Sequence, residues 1–221
     1  MRTVNHNNGS TITKEIGLLK IEEKGVKVLA LHGFVDDVVE ASDGSLYYSV
    51  ASTKYGLHNW ILDVLEAKPR GQLLKYDPSS NTTSVLLDGL GFANGVALSA
   101  DQDYLVFCES WKHKCLKYWL DGDRKGKTEI FTDNLPGAPD NINLAPDGSF
   151  WIALIELHSR KLGLLYKWQL LRNGKIIRGF DDPTGKVMAF VTSALEFEGH
   201  LYLGSLHNDF RGKLPLPTPP L

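Results

Sequence analysis

The chain has 221 residues, 43% of them hydrophobic, and a formal net charge of −2 at pH 7. That composition is globular and supplies apolar material for one or two cores, which excludes a disordered tail. A near-neutral balance without a basic stripe excludes a nucleic-acid partner held by phosphate charge, and no apolar run reaches the ~18 residues of a membrane-spanning helix.

Residues 1–15 are polar and are expected to form a loose N-terminus, with no apolar stretch of the kind a secretory signal carries. From Ile16 the pattern becomes short strands, beginning with Gly17–Ile21 and Val26–Leu31. Next come Val38–Ala41 and Leu46–Val50 about the turn Ser42-Asp43-Gly44. Asp-Gly between apolar runs predicts a hairpin, because glycine supplies the positive φ that such turns need. The same grammar joins Val96–Leu98 to Tyr104–Cys108. It returns at Ile142–Leu144, Asp147-Gly148 and Phe150–Leu154, and again at Ala194–Phe197, Glu198-Gly199 and Leu201–Leu206. Between Leu154 and Phe190 the outer strands are expected in compressed form at Leu162–Leu171 and Gly174–Arg178. One segment breaks the rhythm: Asn59 to Glu66 has the apolar spacing of a short amphipathic helix ahead of Pro69. The prolines of Leu214-Pro215-Leu216-Pro217-Thr218-Pro219-Pro220 remove amide donors, so this end is expected to be an extended tail outside any central strand.

These strands repeat as a module. A Leu-Lys strand, a turn, a Val/Leu strand, a Phe/Pro-x-Asp/Asn loop and an aromatic strand recur about every 40 to 60 residues. Copies begin at Gly17, Gly71 and Leu116, with a worn fourth at Leu165. Such a repeat predicts an all-β fold, a β-propeller with about four blades over residues 16–213 and a Pro-rich tail over 214–221.

Propeller blades bring the start of each inner strand to one mouth of a central channel. That module position holds Asp36 and Asp37, then Asn94, then Asp140 and Asn141, and last Thr192 and Ser193. Convergent carboxylate and amide oxygens suit Ca²⁺, which accepts six to eight of them in loose geometry. Taken singly, each reads better as an Asp or Asn bonding its own turn, and it is the recurrence at one module position across three blades that sets a cation site, or its remnant, level with that reading. The seven histidines show no zinc spacing. Of these, His32 is read as structural rather than as a proton shuttle. Ser52 and Ser110 lack a nucleophile elbow. Cys108 and Cys115 would pair if they flanked a tight hairpin, but two buried free thiols are the expectation. Sequons stand at Asn8-Gly9-Ser10 and Asn81-Thr82-Thr83, the second at a predicted hairpin tip.

Four blocks carry a resemblance: Ser52-Thr53-Lys54-Tyr55, the run from Gly71 to Asp88, Gly91-Phe92-Ala93-Asn94-Gly95-Val96-Ala97-Leu98-Ser99, and Pro139-Asp140-Asn141-Ile142. Through them the chain, from about Gly17 to Leu216, resembles the plant strictosidine synthase-like family. That family is similar to the adipocyte plasma membrane-associated protein and, more distantly, to paraoxonase and gluconolactonase, all six-bladed propellers. The resemblance implies a ring that this chain enters partway round and leaves incomplete, with open sheet edges available for self-association. It also implies a small-molecule site at one channel mouth and a route to the vacuole or endomembrane lumen.

Two chemistries divide these relatives. Paraoxonase-like members hydrolyse lactones and esters with a channel Ca²⁺. By resemblance Asp36 matches a position where they carry Asn, Asn94 matches the ligand of a Phe-Ala-Asn-Gly loop, and Asp140 with Asn141 matches their Asp-Asn pair. Their first-blade glutamate has no counterpart here. Strictosidine synthase instead condenses an amine with an aldehyde, using a glutamate just ahead of the last hairpin. That place falls near Thr192, whose hydroxyl is too weak a base at neutral pH, and Glu196 matches a different, hairpin position. The resemblance therefore implies a Ca²⁺-dependent hydrolase of lactones or esters, with Asp37 the candidate base. A noncatalytic binding remnant is the alternative, and condensation is disfavoured.

Overall fold

Strands this short, joined by turns this tight, pair with their chain neighbours, and the computed structural model follows that rule throughout. It describes residues 17–22, 25–31, 33–158, 163–182, 188, 191–206 and 208–216. His32 and the Asn8 sequon lie outside the described residues.

The chain divides into two compact units, Met1–Asn94 and Gly95–Leu221. In the first, β1 (Gly17–Glu22) pairs with β2 (Gly25–Leu31). A four-stranded sheet follows in chain order: β3 (Phe34–Glu40), β4 (Leu46–Ser52), β5 (Gly71–Asp77) and β6 (Thr82–Leu90). The second sheet runs β7 (Ala93–Leu98), β8 (Tyr104–Glu109), β9 (Lys114–Trp119), β10 (Thr128–Thr132). The third runs β11 (Ala138–Leu144), β12 (Phe150–His158), β13 (Gly163–Arg172), β14 (Lys175–Asp182). A three-stranded sheet, β15 (Val191–Phe197), β16 (His200–Ser205), β17 (Gly212–Pro215), ends the series.

Each sheet is a meander, as the turn grammar requires. Asp43 Oδ1 accepts the Ser45 N–H at 2.8 Å in the β3–β4 turn, and Asp147 Oδ1 accepts the Ser149 N–H at 3.0 Å in the β11–β12 turn. Gly44 and Gly148 take φ of 79° and 80°. The module has the right period but straddles the sheets. Its Leu-Lys and Val/Leu strands are the outer pair of one sheet, and its aromatic strand belongs to the inner pair of the next.

Three expectations change. The strands after Leu154 are not compressed, because β13 has 10 residues and β14 has 8. The last strand, β17, carries Leu214 and Pro215 into the sheet, where Pro215 is tolerated because the strand is an edge. Third, the two cysteines are bonded. Cys108 on β8 stands directly opposite Cys115 on β9, and their sulfurs form a disulfide. The 3-10 turn Ser110–Lys112 makes the tip short enough to bring them into register. Both cysteines are fully buried among Val106, Phe131, Ile142, Phe150, Ile152 and Leu154, a core that joins the second sheet to the third. A second cluster, with Trp151, Val191, Ala194 and Leu201, joins the third to the last.

The helix α1 (Trp60–Glu66) forms where its spacing predicts. It ends on Ala67 in the left-handed conformation, whose N–H reaches Asp63 O and Val64 O, with Pro69 beyond. A carboxylate at a helix C-terminus opposes the macrodipole. Here Glu66 is surrounded by cations, with Arg70 Nη2 at 2.9 Å, Lys54 Nζ at 3.0 Å and Lys68 Nζ at 3.6 Å. Tyr55 donates its hydroxyl to the same carboxylate at 3.0 Å. Hydrogen bonds from Arg70 and Lys54 hold the Glu66 carboxyl down to about 2.

Opening the disulfide should release the loop entropy that it removes from the unfolded chain. Cys108→Ser/Cys115→Ser is expected to cost about 2–3 kcal/mol, read from urea unfolding of oxidised wild type beside the double variant. Because the Glu66 pKa is depressed in the folded state, its stabilisation is present above the ordinary glutamate value and fades as pH falls from about 4.5 toward 2. Glu66→Gln should therefore lower the melting temperature at pH 7, with the difference vanishing near pH 2 in a pH series of thermal melts.

Candidate functional site at the inner-strand bulges

The module position expected to be a loop lies inside the inner strands, as a bulge. In β3, Val35 pairs with Val50 and Val38 with Tyr48, so Asp36 and Asp37 together oppose Ser49. In β11, Pro139 pairs with Leu154 and Ile142 with Ile152, so Asp140 and Asn141 oppose Ala153. In β15 the register shifts between Val191 and Ser193, at Thr192. A bulge re-aims side chains that a regular strand would send to alternate faces. Its recurrence at the oxygen-bearing position of three inner strands marks a candidate position within each unit.

Within the first unit, Phe34 and Phe92 pack edge to face with ring centroids 5.9 Å apart. Each stands two residues before a candidate ligand, Asp36 or Asn94. Phe92 has φ of 60°, a conformation costly for a bulky side chain and found at positions under functional constraint. Asn94 is buried, and Asp36 and Asp37 are half-buried. Asp37 Oδ1 accepts the N–H of Val38 at 2.9 Å, and the Asp37 N–H donates to Ser49 Oγ at 3.0 Å.

Within the second unit the inner strands approach closely. A Cβ placed on Gly95 would lie 2.5 Å from both Asp140 O and Ile142 N, so only glycine lets β7 reach β11. Asn141 Nδ2 donates to the Thr192 carbonyl at 2.8 Å and to Asp140 Oδ1 at 3.2 Å. A backbone carbonyl can only accept, so the amide nitrogen must face Thr192, and Asn141 Oδ1 is the end left to meet a ligand. One residue after the next, Asn143 Nδ2 repeats the bridge to Ser193 Oγ at 3.2 Å and Ala194 O at 3.0 Å. The third and fourth module positions are therefore hydrogen-bonded to each other.

Support reaches this bulge from the turn after β8. Ser110 Oγ donates to Pro139 O at 2.7 Å in a buried bond, fixing the backbone just ahead of Asp140. Glu109 beside it is buried, with Lys112 Nζ at 2.6 Å and Lys114 Nζ at 3.1 Å. The disulfide Cys108–Cys115 closes the same hairpin. Ser110, which has no nucleophile elbow, has this holding role instead, and its sequence context does not signal it because the partner is 29 positions away.

No three His, Cys, Asp or Glu side chains cluster as a metal site among the described residues. The candidate oxygens are half amide, two Asp with two Asn, a donor set suited to a hard cation rather than to zinc.

Residues 36–123 match the family model described as strictosidine synthase. Over that stretch the chain is similar to the strictosidine synthase family. It is 34% identical over 231 residues to Protein STRICTOSIDINE SYNTHASE-LIKE 4 of Arabidopsis thaliana, covering 90% of this chain and 62% of that relative. Among solved structures it is similar to a putative gluconolactonase, with TM-score 0.61 and 19% identity over 90% of this chain and 67% of that one. It is also similar to the calcium-binding protein regucalcin of Agrobacterium tumefaciens, with TM-score 0.53 and 14% identity over 79% of this chain and 55% of that one. These likenesses establish the fold as a β-propeller.

Thr192, buried, stands at the bulge of the last inner strand, β15. Glu196 is four residues on, and its Oε2 accepts the Trp151 indole N–H at 2.7 Å, which occupies that carboxylate in tying β15 to β12.

Gly95→Ala should destabilise the domain by at least about 2 kcal/mol, because the methyl meets backbone that cannot rotate away. Gly199→Ala, opposed only by φ of 69° with nothing within 4 Å, should cost about 1 kcal/mol. Urea midpoints of the two variants give the comparison.

Proposed function

We propose that this strictosidine synthase-like chain holds Ca²⁺ through Asp36, Asn94, Asp140 and Asn141 and hydrolyses a lactone or ester. The observation that carries the reading is the pinned Asn141 amide, whose nitrogen is bound to Thr192 O and Asp140 Oδ1 while its oxygen is left for a ligand. Two further points support it: the bulges in β3 and β11 fall at Asp36 and at Asp140 with Asn141, and the fold is shared with gluconolactonase-type and calcium-binding propellers.

A bound Ca²⁺ supplies Lewis-acid polarisation of a substrate carbonyl. The chain's own part is to hold oxygens at fixed positions. Ser110 restrains the backbone before Asp140, Gly95 admits β7 against β11, and Phe34 and Phe92 pack edge to face two residues before Asp36 and Asn94. Asp37, one residue on in the β3 bulge, is the proposed acceptor of the proton that the attacking water gives up. Its Oδ1 bond to the Val38 N–H orients the carboxylate for that role. The condensation reading lacks its base, because Thr192 stands at that position and Glu196 is engaged by Trp151. Residence in an oxidising compartment, the endomembrane lumen or vacuole, is part of the proposal and is supported by the disulfide.

Thermal melts with Ca²⁺ and with chelator test the metal. At a hundredfold excess over Kd, stabilisation of about 2.7 kcal/mol is expected for wild type and loss of the shift for Asn94→Ala and Asp140→Ala. A Ca²⁺-independent melt in wild type would remove the proposal. Where the shift is present, a lactone and ester screen should show hydrolysis that chelator abolishes and Asp37→Asn reduces by 10²-fold or more, on the order expected of a general base.

A further inference from the structure

Helix α1 is built inside out. Asp63 is its buried residue, at 1% exposure, while Trp60, Ile61 and Leu62 are 42 to 47% exposed and Leu65 is 74% exposed. Leu57, in the 3-10 turn just ahead, adds a fifth large apolar side chain at 44%. A helix resting on a protein core in water turns its acid outward and its leucines inward. Five apolar side chains exposed within nine residues are a patch, which marks an interaction surface, whereas single exposed hydrophobes need no explanation.

The charges beside the patch decide what it fits. Lys54 and Lys68, with side chains 46% and 65% exposed, and Arg70 at 28% gather at its C-terminal end, where all three reach Glu66, itself 21% exposed. Asp63 faces the interior. The surface offered outward is thus apolar with a cationic end, three positive charges against the one carboxylate of Glu66 at the helix C-terminus. Apolar side chains that include a Trp, beside a group of net positive charge, complement anionic headgroups over acyl chains.

We propose that the segment from Leu57 to Leu65, with Lys54, Lys68 and Arg70 at its C-terminal end, docks this protein on an anionic lipid surface as an interfacial helix. The helix lies in the headgroup plane and does not span: at 7 residues it is far too short to cross. This docking requires neither Ca²⁺ nor turnover, so its test is separate from that of the hydrolase reading.

The experiment is co-sedimentation of the full chain, in chelator, with vesicles of phosphatidylcholine alone and of phosphatidylcholine with phosphatidylserine. Binding is expected to the anionic vesicles, weakened by added salt. Leu65→Glu and Ile61→Glu should each lower the partition coefficient at least about tenfold. Val85→Glu, at a residue 51% exposed on β6 outside the patch, should leave it unchanged. All three sites are exposed, and thermal melts check that each variant folds. No partition to either vesicle, or partition indifferent to Leu65→Glu, overturns the proposal. So does a vesicle-independent oligomer in sizing chromatography that Leu65→Glu dissolves, because the patch would then belong to a second copy of the chain.

Discussion

The arrangement of this site depends on two residues standing where a regular strand has room for one. A bulge interrupts the ladder and bends the strand, so a sheet carries it only where the neighbouring structure holds the extra residue in place. In β11 that hold is explicit. Pro139 O is bonded by Ser110, Asn141 bridges to Thr192, and Gly95 lies against the backbone from Asp140 to Ile142. In β3 the same irregularity carries Asp36 and Asp37.

These holds differ in kind from the core that supports them. The clusters about Phe150 and about Trp151 are apolar and join sheet to sheet by burial, which is strong but indifferent to angle. Hydrogen bonds to backbone carbonyls fix direction. The second unit uses burial to bring β11 and β15 together and side-chain amides, Asn141 and Asn143, to set their relative register. The hairpin from Cys108 to Cys115 combines both, with its disulfide inside the core and Glu109 and Ser110 at its tip.

Much of the fold was legible in the sequence because its grammar is local. Asp43-Gly44 and Asp147-Gly148 announce their turns by their own chemistry, and α1 is bounded by Pro69. What was not legible depends on pairing. The position of Asp36, Asp140 and Thr192 at one recurring place was visible, but their location inside strands was not, because a bulge is a relation between two strands. The disulfide was missed for a similar reason: the spacing of Cys108 and Cys115 permits bonding only if the tip between Glu109 and Lys114 is tight, and the turn at Ser110–Lys112 makes it so. The module's phase was misread because a repeat has no natural starting point, and sheets divide it between its Val/Leu strand and its Phe/Pro-x-Asp/Asn segment.

Gly95 also bears on how this protein ages. It follows Asn94, and glycine leaves the next backbone nitrogen unhindered, so an Asn-Gly pair in a free chain cyclises with loss of ammonia and reopens as aspartate or isoaspartate. The close passage of β7 against β11 excludes any larger residue at 95, so the vulnerable pair cannot be relieved by substitution at that position. Folding supplies the protection instead: β7 is buried along its whole length and extended, which keeps the Gly95 nitrogen from reaching the Asn94 side chain. Chemical integrity of that amide is thus a property of the folded state, and each excursion to the unfolded chain exposes it to irreversible conversion.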